Sequence, residues 1–480
     1  MILAGVLAAL CCIGLLLVSS LIPQESITAN ARVSADYYSS HILFENQIEN
    51  QSATKRDNYA DCISSCIAFH LGNNKSNIWK NVLKARFTQE EENVNEGFRR
   101  AVYDGAEANQ TYSRYWHGSA AVIRLLYPMT DISVMRTVML IAGIVLTLAW
   151  IAYLVFKQEY FIAVAYLLGA IAIKAVFAFS CFEYAFVCLM VPVLSFLVYY
   201  TYTANTSADA AKRPAGLAAL RMETIFLIAG ILTCFFDFLT AETLTFTIPA
   251  FILFVCLEKS ADRPFVIIRE NEKEEGKADP LKLLLNIAIS WMAGYAGMFL
   301  LKWLFTLIFL GKEEFITAMS VAAERSVGAV HETNNLASPT VGIVGRILRI
   351  ISNNFACLFS LPDSLNANAT WLILFGIAAF IGLLWFFLRK KDEPRTGKNA
   401  AAQKRKKDTA FFPVYLILMI LPVARFLVLS NHAYMHYFFT YRALMSTVTV
   451  GTYLFLKTTV LSSLLTPQHR PLPRRNRGSR

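Results

Sequence analysis

The chain has 480 residues, 56% of them hydrophobic, where soluble globular domains hold about 45–50%, and its mean hydropathy is +0.45. Its formal net charge is +11, but the surplus Lys and Arg sit in short segments beside apolar blocks, where they orient helices and meet anionic headgroups. Composition therefore excludes a soluble enzyme and a nucleic-acid-binding protein, and points to a polytopic membrane protein.

The apolar residues fall in blocks of about 18–25 residues with almost no charge, the length a helix needs to cross about 30 Å of hydrocarbon. In lipid, every backbone polar group must be satisfied within its segment, so these blocks are expected to be helices. The first block runs from Ile2 to Pro23. No Lys or Arg precedes it and no small-residue cleavage site directly follows it. It is therefore expected to stay as a first transmembrane helix (residues 1–23) rather than leave as a signal peptide.

Residues 24–134 form the longest polar stretch, with room for a small folded unit. Residues 135–310 are expected to hold six spans, at 135–156, 159–178, 184–203, 222–239, 242–258 and 282–310. A second polar segment follows at 311–369. Within it, 340–361 is moderately apolar but carries Arg346, Arg349, Asn353 and Asn354, and reads as an amphipathic helix in the membrane interface. Three more spans are expected in 370–464, at 370–388, 410–430 and 442–464. A basic linker at 389–409 separates the first two, and a basic tail occupies 465–480. Linker and tail are expected to be disordered.

Lys and Arg in short loops set orientation. The linker holds Arg389, Lys390, Lys391, Arg395, Lys398, Lys404, Arg405, Lys406 and Lys407, and the tail holds five Arg and no acid. Both are expected in the cytoplasm. Counting back places 259–281 and 204–221 (with Lys212, Arg213 and Arg221) there too, and the N-terminus with them. The expected fold is an all-α membrane protein of about ten transmembrane helices, with a large extracytoplasmic helical loop after the first and with N- and C-termini cytoplasmic. The basic inner loops fit a bacterial plasma membrane and a role in the cell envelope.

Of nine Cys, seven lie in or beside apolar blocks and read as small hydrophobes. Cys62 and Cys66 are four apart, which on a helix suits packing thiols better than a disulfide. With no nearby His pair they make no metal site.

Three polar clusters stand out, all on the side expected to be extracytoplasmic. In Arg56-Asp57-Asn58-Tyr59-Ala60-Asp61, the two carboxylates share a helix face. One can act as a base while the other orients it, and together they can hold a cation. The same spacing also suits a capped, solvated helix start with Asp57 near the N-cap. Tyr112-Ser113-Arg114-Tyr115-Trp116-His117-Gly118 precedes the second span. An interfacial anchor belt accounts for its aromatic rings, whereas Arg114 and His117 among them suit the grip of a phosphate or a sugar ring. Between the last two spans lie His432, His436 and Arg442, which can bind an anionic headgroup or serve as anchors. No Glu lies between the two His as a zinc protease would require. Asp237 and Lys302, like Glu183, Glu242 and Arg425, sit at or inside span ends, where charge is costly and functional by default. The chain has no P-loop, no Gly-x-Ser-x-Gly elbow, and no matched pair of broken spans as inverted transporter repeats show.

One large loop after the first span, acids within it, a second outer loop with an interfacial helix and about ten spans resemble the GT-C class of membrane glycosyltransferases. The stretches around Asp57–Asp61, Tyr112–Gly118, Phe236–Thr240 and Asn431–Arg442 also resemble a group of uncharacterised bacterial membrane proteins. The resemblance implies a polyprenyl-phosphate-linked sugar donor and an acceptor on the outer face. Asp57, or after it Asp61, would take the acceptor proton. Arg114, His117, Lys302, His432 and Arg442 would meet the departing lipid phosphate. Trp116, Asp237 and His436 belong to the same expected substrate-binding set. A divalent cation is compatible with this chemistry but not required. Membrane lipid is the expected partner and nucleic acid is not. Two other classes fit the same pattern: a lipid or polysaccharide transporter or flippase, and a non-catalytic membrane assembly subunit.

Overall fold

The computed structural model describes residues 1–72, 77–91, 93–206, 222–259, 279–327, 343–389 and 398–462. Most of the expected cytoplasmic segments at 204–221 and 259–281, and the tail from 463 onward, lie outside the described residues.

The described chain is mostly helical. Helix α1 (Ile2–Ser20) is followed by a unit of five helices: α2 (Gln24–Ser39), α3 (Asn58–His70), α4 (Ile78–Leu83), α5 (Val94–Tyr103) and α6 (Gly118–Leu126). Two small antiparallel sheets join them, β1 (Phe44–Asn46) with β2 (Lys55–Asp57) and β3 (Arg86–Phe87) with β4 (Gln110–Thr111). The unit packs around an apolar core that includes Ile27, Tyr38, Cys62, Phe69, Phe98 and Tyr127 and extends to Ile132, Met135 and Phe182 of the following helices. All nine cysteines are free. Cys62 donates to the Val94 carbonyl at 3.4 Å, and Cys66 accepts from the Thr88 amide at 3.3 Å.

The bundle continues with α7 (Ile132–Phe156), α8 (Tyr160–Ala172), α9 (Ala175–Phe179), α10 (Phe182–Thr206), α11 (Met222–Phe236), α12 (Leu244–Lys259) and α13 (Pro280–Leu310). After α14 (Lys312–Val327) and α15 (Ile343–Leu358) come α16 (Ala367–Leu388), α17 (Lys398–Val428), the short α18 (Ser430–Met435) and α19 (Tyr437–Thr440), and α20 (Met445–Thr458).

Among the described residues, six helices are long and apolar enough to cross a membrane: α1, α7, α10, α13, α16 and the Ala410–Val428 part of α17. The other four expected spans correspond to shorter helices. α8, α11, α12 and α20 have 13, 15, 16 and 14 residues, or roughly 20–24 Å at 1.5 Å per residue. Every residue of α12 from Leu244 to Glu258 is buried, so neighbouring helices, not lipid, surround it. Within the segment expected to form an amphipathic helix, α15 is a 16-residue helix that falls short of membrane length. The linker expected to be disordered is helical from Lys398 onward, because Ala400, Ala401, Ala402, Gln403 and Lys404 are strong helix formers running into an apolar helix.

Helices α11 and α13 pack backbone to backbone. A Cβ on Gly230 would collide with the Trp291 carbonyl oxygen, and one on Gly294 with that of Leu227. Glycine at both positions permits the small-residue crossing that membrane helices use when lipid supplies no hydrophobic drive.

The ends of the helices gather on two sides. On one side, the unit α2–α6 meets the α15–α16 connection: Asp363 accepts from the Ser52 amide (3.0 Å) and hydroxyl (2.9 Å). On the other, Lys259 pairs with Glu159, Lys457 pairs with Glu258, and Arg389 bridges to Thr459.

Candidate functional site

Asp57 caps the N-terminus of α3, its Oδ1 accepting the Ala60 amide at 2.9 Å. Asp61, one turn on, is completely buried. Arg136 from the first turns of α7 donates to its Oδ2 through Nε (2.9 Å) and Nη2 (2.7 Å). The first amides of α10, Phe182 and Glu183, donate to the same carboxylate, each at 3.1 Å, and the Cys181 thiol adds a contact at 3.4 Å. Asp61 thus acts as a cap for α10 supplied by another helix, where a carboxylate is favourable. Arg136 also reaches Asn58 Oδ1 at 2.8 Å and the Tyr37 hydroxyl at 3.2 Å. Removing one partner from such a buried pair costs about 3–5 kcal/mol.

Asp57 has a different environment. Its Oδ2 accepts one hydrogen bond, from the Tyr184 hydroxyl at 2.8 Å. Burial pushes its carboxyl up to about 6, against the opposing effects of the Ala60 amide and the Tyr184 hydroxyl. The Arg442 guanidinium stacks on the Tyr184 ring at 4.7 Å and on the Tyr441 ring at 5.2 Å. Arg442 is 1% exposed. Its Nη1 makes a long bond to the Phe438 carbonyl (3.4 Å), while Nε and Nη2 have no hydrogen-bond partner among the described residues. Lys174 lies 5.2 Å over Tyr441 and donates to the α15 carbonyl of Cys357 at 2.6 Å. A buried carboxylate and a buried, incompletely bonded cation therefore flank one tyrosine.

The α11–α12 loop forms a second centre. Arg425 of α17 grips both Glu242 oxygens, at 2.8 and 3.0 Å, and also donates to the Leu239 carbonyl. The same carbonyl accepts from His432 Nε2 at 2.8 Å. Leu239 adopts φ +66, an uncommon left-handed conformation for a branched side chain. Asp237 is turned back onto its own loop, accepting the Thr240 amide (3.1 Å) and hydroxyl. His432 lies 4.8 Å from the His436 ring, His436 stacks on Phe439 at 5.1 Å, and Phe439 lies 5.2 Å from Tyr184. This chain of rings links the loop to the Asp57 centre. Among the described residues no group of three or more His, Cys, Asp or Glu could hold a metal ion.

The third cluster meets the same loop from the other flank. His117, with φ +58, precedes α6. Its ring packs 5.1 Å from Phe238 and 4.8 Å from Tyr112. Burial pushes it down to about 3, with Lys302 and Arg114 adding repulsion, so it is neutral. Arg114 lies over Tyr112 at 4.3 Å and Tyr115 at 5.2 Å. Trp116 and Lys302 face a neighbouring core. Trp116 donates to the Met298 carbonyl at 2.8 Å, and Lys302 donates to that of Leu83 at 2.8 Å while lying 5.2 Å over the Trp116 ring. Arg124, in the same helix α6, ties two helix ends together. It donates to Ser19 (3.0 Å), Ile22 (2.7 Å), Ala68 (2.7 Å) and Phe69 (3.0 Å) carbonyls, where a cation complements the negative helix termini.

Of the expected site residues, the structure links Asp57, Arg442, His432, His436, Asp237 and His117 through shared rings and the α11–α12 loop. Arg114 joins through Tyr112. Asp61 sits beside Asp57 but is fully engaged, and Trp116 and Lys302 are engaged in packing. Sequence reasoning did not single out Tyr184, Arg136 or Tyr295. Arg136 carried a signal, as a charge just inside an apolar block. Tyr184 and Tyr295 carried none among the chain's 20 tyrosines.

No family model matches the sequence, and the chain matches neither a curated protein nor a solved structure.

Proposed function

We propose that this protein is a membrane-embedded glycosyltransferase of the GT-C type, moving a sugar from a polyprenyl-phosphate donor to an acceptor hydroxyl on the face that carries α2–α6. The observation that carries the reading is the pairing of Asp57 and Arg442 across Tyr184. Transfer needs a base for the acceptor proton and a cation for the departing phosphate. The acceptor oxygen bonds to the anomeric carbon as the bond from that carbon to the phosphate oxygen breaks. The acceptor proton passes to Asp57, and the lipid phosphate keeps the electron pair beside Arg442. Asp61, with every oxygen bonded, holds the start of α3 against α10 and positions Asp57.

The same reading takes the four shorter helices as crossings, giving ten in all. The alternation of helix ends between the two sides supports this count, and the basic segments 389–409 and 465–480 support cytoplasmic termini in a bacterial plasma membrane. A non-catalytic assembly subunit is the second reading. It is favoured by the burial of Asp61–Arg136 and Glu242–Arg425, since such pairs also serve only to hold helices together.

The test uses the purified chain in lipid nanodiscs, supplied with short polyprenyl-phosphate sugars and candidate acceptors. Transfer by the wild type should fall at least about 100-fold in Asp57→Asn, the typical contribution of a general base, with the melting temperature not lowered. Full activity in that variant removes Asp57 as the base. Absence of transfer and of donor binding in the wild type favours the assembly subunit.

A further inference from the structure

His117 donates its Nε2 proton to the Tyr112 carbonyl, 2.6 Å away. In a neutral imidazole the other nitrogen is then a bare acceptor. That atom, Nδ1, is buried and has no hydrogen-bond partner among the described residues, and the whole residue is 2% exposed. The Tyr295 hydroxyl of α13 is likewise buried without a partner. Tyr115 connects the two: its ring lies 6.3 Å from His117 and 6.2 Å from Phe299, which is 5.3 Å from Tyr295. Arg114, whose Nε is also buried without a partner, lies over Tyr115. Buried polar atoms are nearly always satisfied, so several orphans around one aromatic patch mark a place where a polar molecule belongs.

The backbone adds an independent sign. His117 holds a left-handed conformation at φ +58, a strain that persists where surrounding structure over-determines it and that clusters at functional sites. Here the constraint is visible. Gly118 lies so close to the ring and carbonyl of Phe235 that no Cβ fits, which seats the start of α6 on the end of α11 and aims the imidazole at Phe238.

The chemistry selects the ligand. A neutral imidazole with a free lone pair repels a phosphate oxygen and accepts from O–H. A phenol both donates and accepts. The Phe238 ring beside the imidazole offers apolar cover to C–H groups, while Arg114 covers Tyr112 and Tyr115. We infer that His117 and Tyr295 form a cradle for a neutral, hydroxyl-rich group, a sugar ring, seated against the Phe238 loop and apart from the anion-gripping Arg442. The inference rests on the transferase reading and deepens it. It divides the expected substrate-binding set into a phosphate end at Arg442 and a sugar end at His117, and it takes His117 away from the phosphate.

The test measures binding to the full-length chain in nanodiscs, with three probes: a short polyprenyl phosphate, the same lipid carrying a hexose, and its single-deoxy analogues. In the wild type the hexose should strengthen binding, and one deoxy analogue should lose roughly three- to tenfold, the worth of one hydrogen bond. In His117→Ala that loss should vanish, because the hydroxyl no longer has a partner. His117→Asn, which tolerates the left-handed backbone and keeps an acceptor, should restore part of it. Tyr295→Phe, which deletes one oxygen and leaves the packing in place, should abolish discrimination at another hydroxyl. If wild type and both deletion variants rank all analogues alike, the cradle is refuted while the transferase stands. If the hexose adds nothing to binding of the lipid phosphate, the cradle is refuted and the phosphate end at Arg442 stands. If neither lipid binds the wild type, the transferase reading falls and takes the cradle with it.

Discussion

Asp57 and Asp61 are one helical turn apart and chemically identical in the sequence, yet their surroundings give them opposite characters. Arg136 and two helix-start amides donate to the Asp61 carboxylate and occupy both of its oxygens. Asp57 receives one amide and one hydroxyl, and burial moves it up to about 6 from its ordinary 3.8. The sign of the consequence follows from linkage. Between about pH 4 and pH 6 the folded protein keeps a proton on Asp57 that the unfolded chain has released, so stability contributed at this group falls as pH rises through that window. A shift of this size is worth about 3 kcal/mol. Asp57→Asn mimics the protonated acid and remains a good helix cap. Its stability relative to wild type should therefore increase by about that amount between pH 4 and pH 7, measured by chemical denaturation in detergent. A difference independent of pH would show that Asp57 is not perturbed. On the transferase reading, wild-type activity should rise through pH 6 as the base ionises.

At the scale of the element, the crossing of α11 and α13 depends on Gly230 and Gly294. Gly294→Leu should push the helices apart and lower stability by about 1–3 kcal/mol, the usual cost of overpacking. Gly297→Leu, on the same helix with nothing within reach of its Cβ, should cost little. Equal melting temperatures for the two variants would contradict the close crossing. The element boundaries also show what was legible. Long apolar blocks such as 135–156 and 370–388 stood out because lipid exposure demands apolarity along nearly the whole helix. Of α16, only Thr370 is buried. That α12 is buried from Leu244 to Glu258 was not legible, because a helix wrapped by other helices has the same composition as one wrapped by lipid. The helical start of α17 was hidden for another reason: charge suggests a solvated linker, while its residues individually favour helix.

At the scale of the whole molecule, the helix ends sort into two sides, one with α2–α6 and the other with the Lys259–Glu159 and Lys457–Glu258 pairs. In proteoliposomes of uniform orientation, a membrane-impermeant thiol reagent should label Asp104→Cys and Lys157→Cys from opposite sides of the bilayer. Both positions are solvent-exposed, and eight of the nine native thiols are buried. Labelling of both from one side would break the alternation on which the ten-crossing topology rests. The same arrangement accounts for the buried charges. Arg124 gathers the carbonyl ends of α1 and α3, Asp61 gathers α7 and α10, and Glu242 gathers α17 onto the α11–α12 loop. Each charge joins separate helices near their ends.

By itself the sequence determined that this is a helical membrane protein, where its longest apolar helices lie, and which polar stretches lie between them, because the hydrocarbon phase imposes length and composition on each segment independently. It also brought forward Asp57, His117, His432 and Arg442, since charge and imidazole beside apolar blocks are conspicuous. Only the tertiary structure decided which of them remain incompletely bonded. Asp61 is bound by residues 75 and more positions away, the orphaned atoms of Arg442 and His117 are defined by what fails to reach them, and Tyr184 and Tyr295 gain meaning only from their neighbours. Hydrogen-bond satisfaction is a property of packed surroundings, and no local pattern of residues encodes it.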